Sequence, residues 1–205
     1  GTTPADTRGR ANQRADRARD ARQRGSIPDR PFFVEAELKT VAIVQARMGS
    51  TRFPNKVMRP IDGTPMIELL LRRLSRALAV DQIVVATTLD ERDAPLVTHV
   101  ESLGFTVFRG AERDVLDRYR GAAHLVGADV VVRITGDCPL IDATLVDAVI
   151  GRHRESGADY ASNTQPPTFP DGLDTEVFSR EALEVAWAQA LPGGHREHVT
   201  PFLRE

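Results

Sequence analysis

Residues 41–56 read VAIVQARMGSTRFPNK, an apolar run followed at once by a polar, cation-rich segment. The run at 41–46 has the length and composition of a buried strand. The next ten residues hold two arginines, a lysine, a glycine and two hydroxyl side chains. Backbone amides beside a glycine can approach a phosphate closely, and arginine and lysine neutralise its charge. The pattern predicts a phosphate-binding loop at the end of a strand; a solvated surface turn is the alternative.

Strand and helix patterns alternate from this point onward. The predicted strands are residues 41–46, 82–88, 105–108, 129–135 and 159–163, and the predicted helices are 65–79, 94–103, 113–126 and 143–154. After Pro166 the alternation stops, and we expect a loop, an isolated strand at 175–178 and a helix at 180–190. Repeated strand–helix pairs with few two-faced strands predict an α/β fold with a mostly parallel sheet.

A second polar segment follows the most apolar of the predicted strands. Gly136 and Asp137 come directly after residues 129–135. Ligands of open parallel sheets bind at the carboxyl ends of the strands, and Mg²⁺ is commonly held by one or two carboxylates together with substrate phosphates. We therefore predict that Asp137 binds a metal beside the loop at 47–56, where both would face a triphosphate. A helix or turn cap is the alternative for Asp137.

Length and composition narrow the class of protein. A chain of 205 residues suits one domain with a sizeable core. No apolar run approaches the roughly 18 residues of a membrane span, and no segment resembles a secretory signal, so we expect a cytoplasmic protein. The single cysteine, Cys138, excludes an intrachain disulfide, and we expect a small buried residue there. Lysine is rare, since only Lys39 and Lys56 stand beside 25 arginines.

Charge is distributed unevenly along the chain. Residues 1–30 hold eight arginines and four aspartates, so this stretch carries +4 and the remainder carries −6 of the total of −2. The acidic body argues against a nucleic-acid-binding surface. Residues 1–35 have almost no large apolar side chain before Ile27, and such a segment cannot offset its ordering entropy by burial. We predict a charged flexible tail or a linker to another domain, with residues 39–205 as the folded domain; a charged helix on a partner is the alternative.

Five motifs in order resemble the cytidylyltransferase family, and in particular its spore-coat polysaccharide branch. They are QARMGSTRFPNK (45–56), FRGAERDVLDRY (108–119), RITGDCPLID (133–142), FPDGLDTEVFS (169–179) and REHVTP (196–201). The family also contains enzymes that activate acylneuraminate and ketodeoxyoctonate sugars. The resemblance implies a three-layer, Rossmann-like nucleotidyltransferase fold of the nucleotide-diphospho-sugar transferase type. It also implies CTP as donor, Mg²⁺ as cofactor and, in many members, a homodimer.

The same resemblance implies roles for individual residues. Arg47, Lys56 and Asp137 would be catalytic, with Asp137 as the metal ligand and Asp174 or Glu176 as the second one. The nucleotide would contact the loop and two later segments, through Ala46, Gly49, Ser50, Thr51, Arg52, Ala86, Thr87 and Asp114. Members of this branch continue beyond the position of Glu205, so we expect that the sequence is a piece of a longer protein.

The acceptor is the least defined part of the prediction. Several polar residues lie at or near predicted strand ends and are candidates for contacting a sugar acid, a phosphonate or a sugar phosphate: Arg133, Asn163, Asp171, Asp174 and Glu176. Each of them suits a turn cap equally well, and His198 suits either an acceptor contact or a packing role. Two other functions fit the same residues, namely a glycosyltransferase that uses a nucleotide-sugar and a non-catalytic nucleotide-binding domain.

Overall fold

A six-stranded mixed sheet forms the centre of the protein. The computed structural model describes residues 38–49 and 53–204, so the predicted tail or linker lies outside the described residues except for Leu38. The strands are β1 (Thr40–Gln45), β2 (Pro60–Ile61), β3 (Thr64–Pro65), β4 (Gln82–Thr88), β5 (Thr106–Gly110), β6 (Val130–Thr135), β7 (Tyr160–Ser162) and β8 (Glu176–Ser179). The helices are α1 (Met66–Leu74), α2 (Ala94–Ser102), α3 (Val115–Val126), α4 (Ala143–Ser156), α5 (Arg180–Gln189), α6 (Gly194–His198) and α7 (Pro201–Arg204).

The strand order of the large sheet is β5-β4-β1-β6-β8-β7. The four strands from β5 to β6 are parallel, whereas β8 and β7 are antiparallel to their neighbours. The chain proceeds from β1 outward to β4 and β5, and then returns to the other side of β1 to form β6. This reversal is a switch point, and it leaves a crevice at the carboxyl ends of β1 and β6. The predicted cation-rich loop and the predicted metal ligand both follow those two strands.

Two apolar cores lie on opposite faces of the sheet and give the domain three layers. One packs α1, α2 and α4 against the sheet, and the other packs α3 and α5. Residues 41–44 of β1 are fully buried and alternate between the two cores, as a strand covered on both faces requires. The α/β, mostly parallel fold expected from the sequence is therefore confirmed.

Most predicted elements are present, and the main error concerns the strand expected at 175–178. It was predicted to be isolated, but β8 lies inside the sheet between β6 and β7, where Val177 and Phe178 are fully buried. Its partners are distant in sequence, so the local pattern shows the strand but not its pairing. The helix predicted over 65–79 ends at Leu74, and two further turns of backbone follow it. The β2–β3 hairpin, α6 and α7 were not predicted.

Several helices begin or end at residues that are typical helix caps. Gly127 and Gly157 end α3 and α4 in the left-handed region, with φ of 64° and 62°. Asp142 begins α4 by accepting a hydrogen bond from the amide of Leu145. Among the described residues, no helix has both the length and the apolar character needed to cross a membrane.

Candidate active site

A cleft of about 920 Å³ opens at the carboxyl ends of β1 and β6, and we call it the main cleft. It has a floor of strand residues, one wall at the start of α3 and another wall in the segment around α6. Eight residues singled out in the sequence line it: Ala46, Arg47, Lys56, Asp114, Arg133, Gly136, Asp137 and His198. Gln45, Glu112, Thr135, Arg196 and Glu197 also line it and were not among the predicted site residues.

Lys56 and Asp137 face each other across the mouth of the main cleft. Lys56 Nζ lies 2.7 Å from Asp137 Oδ2, and both side chains are partly exposed. Burial alone would raise the pKa of Asp137, but hydrogen bonds from Lys56 and Thr135 outweigh it and lower that pKa below its usual value. The carboxylate is therefore ionised at neutral pH. The central expectation from the sequence, that the cation-rich loop and this acid share one cleft, agrees with the geometry.

Gly136 allows the ends of β1 and β6 to approach closely. Its amide donates to the carbonyl of Gln45 at 2.8 Å. A Cβ at this position would lie 2.6 Å from that carbonyl oxygen and 2.8 Å from the Cβ of Ala46. Any side chain at position 136 would therefore force the two strands apart and shift Asp137. The role of Gly136 is therefore close backbone packing between β1 and β6.

The described part of the cation-rich loop is held by a buried aspartate that the sequence analysis missed. Asp93 is 2% exposed and accepts hydrogen bonds from the amide of Met48 at 2.7 Å, the hydroxyl of Thr87 at 2.8 Å and the amide of Thr88 at 3.1 Å. The hydroxyl of Thr88 donates to Asp93 as well. Burial would raise the pKa of Asp93, but these hydrogen bonds, that of the Thr88 hydroxyl first, lower it. The carboxylate thus stays charged and fixes the loop to the end of β4.

Two of the predicted nucleotide contacts lie beneath the surface. Ala86 and Thr87 are fully buried, and the hydroxyl of Thr87 is used by Asp93. Neither residue lines the main cleft. Gly49 lies near the guanidinium of Arg92, at the edge of the described loop. The predicted phosphate contacts Ser50, Thr51 and Arg52 lie outside the described residues. Arg47 is exposed and pairs with Glu112 at 3.3 Å.

Asp114 joins the two walls of the main cleft. It begins α3 by accepting from the amide of Asp117 at 2.9 Å, and its other oxygen accepts from Arg196 Nε at 2.7 Å. Arg196 also donates to the carbonyl of Trp187 at 3.0 Å, which fixes the segment before α6. The predicted nucleotide contact at Asp114 is therefore also a helix cap and an ion-pair partner.

A strained turn directs His198 into the cleft. Val199 is fully buried and has φ of 69° and ψ of −58°, a conformation that a β-branched residue rarely adopts. The amide of Thr200 donates to the carbonyl of His198 at 2.8 Å across this turn. Strained backbone of this kind persists where surrounding packing imposes it, frequently at functional sites.

Glu176 is occupied by partners within the protein. It is 1% exposed, its carboxylate forms ion pairs with Arg133 and Arg204, and it accepts from the hydroxyl of Tyr160 at 2.7 Å. Burial would raise its pKa, but Arg133 and these hydrogen bonds lower it. Glu176 lines neither cleft of the described structure, which favours a structural role over the acceptor contact predicted from sequence.

A second cleft of about 960 Å³ lies on the other side of Asp137. Asp171 and Asp174 line it together with Asp137, whereas Asn163 does not. The side-chain nitrogen of Asn163 instead donates to the carbonyl of Leu173 at 2.9 Å. Its side-chain oxygen accepts from the backbone amide of Thr175, also at 2.9 Å. Burial, followed by repulsion from Asp171 and Glu176, raises the pKa of Asp174.

The donor set around Asp137 suits a divalent ion that is shared with a substrate. No group of three or more His, Cys, Asp or Glu side chains in residues 38–49 and 53–204 is arranged as a metal cage. The partly exposed carboxylate of Asp137, with Asp174 lining the same second cleft, matches Mg²⁺ held by one or two carboxylates and completed by phosphate oxygens and water. The residues present therefore fit the predicted cofactor only when a nucleotide is bound.

Comparison with known proteins places this arrangement in a family. A cytidylyltransferase family model matches residues 41–205. The chain belongs to the cytidylyltransferase family. The family resemblance inferred from the five motifs is thereby confirmed.

Individual relatives support the same assignment. The chain is 42% identical over 168 residues to the uncharacterized protein MJ1063 of Methanocaldococcus jannaschii, covering 82% of this chain and 68% of the relative. It is 38% identical over 167 residues to the spore coat polysaccharide biosynthesis protein SpsF of Bacillus subtilis, covering 79% and 68%. It is 36% identical over 121 residues to 3-deoxy-manno-octulosonate cytidylyltransferase of Geobacter sulfurreducens, but covers only 48% of that enzyme.

A solved structure confirms the fold of this cytidylyltransferase domain. The cytidylyltransferase of Leptospira borgpetersenii is 33% identical and superposes with a TM-score of 0.77, covering 81% of this chain and 71% of the other. The three-layer nucleotidyltransferase fold expected from the resemblance is therefore correct.

Proposed function

We propose that this domain transfers the cytidylyl group of CTP to a small anionic acceptor and releases pyrophosphate. The observation that carries the proposal is the position of Lys56 and Asp137, 2.7 Å apart at the mouth of a cleft that also contains Arg47 and Arg133. This cleft is large enough for a nucleotide, and three cations, Arg47, Lys56 and Arg133, line it together with Asp137. Such a set suits a polyanion bound together with a divalent ion.

The reaction follows from the arrangement of charges. An acceptor oxygen attacks the α-phosphorus, a new oxygen–phosphorus bond forms, and the bond to the β-phosphate oxygen breaks to release pyrophosphate. The protein positions the reactants and stabilises charge rather than forming covalent bonds. Arg47 and Lys56 offset the negative charge that grows on the leaving pyrophosphate. Mg²⁺ would be held by Asp137, with Asp174 as a candidate second ligand, and when bound it supplies positive charge that polarises phosphate oxygens.

The floor of the cleft and the relatives support one class of acceptor. Arg133 provides a cation there, and an acceptor that is already ionised needs no strong general base. A sugar hydroxyl would need one, and His198 is the histidine that lines the main cleft of the described structure. The name of SpsF links that relative to polysaccharide synthesis. A sugar acid is therefore the favoured acceptor, ahead of a phosphonate or a sugar phosphate.

A pyrophosphate-release assay tests the proposal. The protein is incubated with MgCl₂ and CTP, ATP, GTP or UTP, with and without a panel of sugar acids, phosphonates and sugar phosphates. We expect release only with CTP, an acceptor and MgCl₂, and none when EDTA replaces the metal. Transfer from a nucleotide-sugar without pyrophosphate release would indicate a glycosyltransferase instead. Binding of CTP without turnover on any acceptor would indicate a non-catalytic domain.

A further inference from the structure

Arg118 is a charged residue at a core position of α3. The other buried residues of this helix are apolar or aromatic: Val115, Leu116, Tyr119, Ala122 and Ala123. Arg118 is itself only 1% exposed. Removing a charge from water is costly, and local rules of this kind are broken mainly at functional sites. A buried arginine on this face of α3 therefore indicates a role that an apolar side chain does not fill.

The guanidinium of Arg118 holds the turn that connects β5 to α3. Nη1 donates to the carbonyl of Ala111 and, at 3.3 Å, to the carbonyl of Glu112. Within residues 38–49 and 53–204 these two carbonyls are its hydrogen-bond partners, so no carboxylate is paired with the buried charge. Burial lowers the pKa of Arg118 accordingly. The charge of Arg118 is used on the backbone of the turn.

This anchor matters because the side chains of the turn lie in solvent. Residues 111–113 are exposed and belong to no helix or strand. Backbone hydrogen bonds therefore give such a segment its order. Gly110 permits the arrangement, since a Cβ there would lie 2.9 Å from Cε1 of Phe108 and 3.2 Å from Cγ of Arg118. The stem of Arg118 thus packs closely against the end of β5.

Glu112 connects this turn to the cation-rich loop. Its carbonyl accepts from Arg118, and its carboxylate pairs with Arg47 Nη1 at 3.3 Å. Both Glu112 and Arg47 line the main cleft. A long exposed side chain samples many rotamers unless a partner holds it. Because a guanidinium has five N–H donors, the contact through Nη1 leaves Nε and Nη2 of Arg47 for a phosphate.

The backbone beside Arg47 is fixed from the other side. Asp93 accepts from the amide of Met48 at 2.7 Å. Arg47 is therefore held at two points, through its chain neighbour by a buried carboxylate and through Glu112 by a buried guanidinium. Neither Asp93 nor Arg118 lines the main cleft. A cation that is held in place before the reaction stabilises developing charge without reorganising.

We infer that Arg118 is a positioning residue of the nucleotide site, which acts through the turn at 111–112 and Glu112 to direct Arg47 at the triphosphate. The inference rests on the proposed function, since it takes Arg47 as a triphosphate contact. Arg118 itself touches no substrate. Its removal therefore weakens CTP binding only while Arg47 is present.

The test measures whether the effect of Arg118 depends on Arg47. Arg118→Met replaces the guanidinium by an unbranched apolar side chain, and Glu112→Gln removes the charge that pairs with Arg47. Each substitution is made in the wild type and in Arg47→Ala. Leu116→Ala is the control on the same helix, because Leu116 is fully buried and lines neither cleft.

Two quantities are measured for each protein. Calorimetric titration gives the Kd for CTP with MgCl₂, and thermal unfolding gives the Tm. Neither measurement requires an acceptor.

The expected result separates positioning from a general effect on folding. Arg118→Met and Glu112→Gln should each raise the Kd for CTP roughly 5-fold in the wild type, the upper range for an exposed ion pair. In Arg47→Ala neither should change the Kd by more than roughly 2-fold, because the residue through which they act is gone. Leu116→Ala should lower the Tm more than Arg118→Met does, since an apolar side chain replaces a buried charge at little cost. Its effect on the Kd should be the same in both backgrounds.

Each other outcome overturns one specific claim. An unchanged Kd in Arg118→Met, or an equal rise in both backgrounds, overturns the inference and leaves the proposed function intact. Tighter binding of CTP by Glu112→Gln also overturns it, because Glu112 would then compete with the triphosphate for Arg47. If Arg118→Met does not fold, Arg118→Lys takes its place with the same expectations, since it keeps the charge but replaces the planar fork by a compact ammonium. Failure of the wild type to bind CTP overturns the proposed function itself.

Discussion

Lys56 Nζ lies 2.7 Å from Asp137 Oδ2, although 81 positions separate the two residues in the sequence. The contact connects the loop after β1 with the loop after β6, the two strands that flank the switch point of the sheet. Because about half of the Asp137 side chain and a third of the Lys56 side chain remain exposed, the pair adds little to stability. Its position at the mouth of the main cleft indicates a role in binding and catalysis.

Removal of either member of this pair should abolish most turnover without unfolding the protein. We expect Lys56→Ala and Asp137→Ala each to lower kcat by roughly 10²- to 10³-fold, as the loss of a preorganised charge does. The free energy of unfolding should change by less than about 1 kcal/mol, since the ion pair is partly exposed. Pyrophosphate release and urea unfolding measure the two effects.

Arg72→Ala serves as the control for a lost surface cation. Arg72 pairs with Glu68 on α1, outside the lining of both clefts. It should show wild-type kcat. Wild-type turnover in Lys56→Ala would contradict the proposed assignment of the triphosphate to this loop.

Asp93 should control both stability and nucleotide binding. Asp93→Asn replaces one acceptor oxygen by a donor that faces the amide of Met48 or the groups of Thr87 and Thr88. We expect a loss of about 2–3 kcal/mol in the free energy of unfolding, the cost of hydrogen bonds to a buried charge. The Kd for CTP should rise in the same variant, because the loop at 47–49 loses its anchor. Denaturant unfolding and calorimetric titration with CTP measure these effects.

The pH dependence of stability follows from the lowered pKa of Asp93. Its ordinary value is 3.8, and the folded protein holds it lower. The stabilising contribution is therefore complete above pH 3.8 and is lost as the pH falls through the pKa of the folded state. Glu91→Gln is the control in the same turn, since the Glu91 side chain is 92% exposed. An Asp93→Asn protein with wild-type stability and CTP affinity would show that the anchor is dispensable.

We expect Arg196 to link CTP binding in the main cleft to the fluorescence of Trp187, the only tryptophan of the sequence. Its guanidinium carbon lies 5.9 Å from the ring of Trp187, which also donates to Asp117 at 2.8 Å. We expect tryptophan fluorescence to change when CTP binds, because Asp114 and Arg196 line the cleft. Arg196→Ala should weaken CTP binding roughly 10-fold, or about 1.4 kcal/mol, and reduce the fluorescence change.

Arg120→Ala separates a change in the surroundings of Trp187 from a change in CTP binding. The Arg120 guanidinium lies 4.1 Å from the Trp187 ring but does not line the main cleft. Its removal should alter the fluorescence of the free protein while leaving the affinity for CTP unchanged. Equal losses of affinity in the two variants would mean that the cluster acts only through folding.

The sequence predicted the parts of the site that depend on local pattern and on sheet topology. The apolar run at 41–46 and the run at 129–135 indicated buried parallel strands, and a general property of such sheets places their carboxyl ends together. Lys56 and Asp137 could therefore be brought together without coordinates. The end predicted for the helix over 113–126 is confirmed at Gly127 for the same local reason.

Contacts between segments that are distant in the sequence could not be predicted from local pattern. Asp93 looks like an ordinary acid at the start of a helix, and nothing near it shows that Met48, 45 positions earlier, donates to it. The interior position of β8 depends on pairing with both β6 and β7, which the strand's own composition does not encode. Glu176 was assigned to the acceptor because it is an acid near a strand end, whereas its partner Arg204 lies 28 positions away in α7.

The variant Glu176→Gln tests whether the charge of Glu176 stabilises the fold or contacts the acceptor. Glu176→Gln leaves Arg133 and Arg204 without a buried counter-charge, and we expect a loss of about 3–5 kcal/mol in the free energy of unfolding. Glu184→Gln removes a comparable carboxylate that pairs with Arg120 nearer the surface, and should cost no more than about 1 kcal/mol. Urea unfolding of both variants measures the contrast. If Glu176 is structural, the folded fraction of Glu176→Gln should retain the wild-type KM for the acceptor. A raised KM for the acceptor with an unchanged free energy of unfolding would instead indicate that Glu176 contacts the acceptor. To do so, its buried carboxylate would have to give up one of its two guanidinium partners.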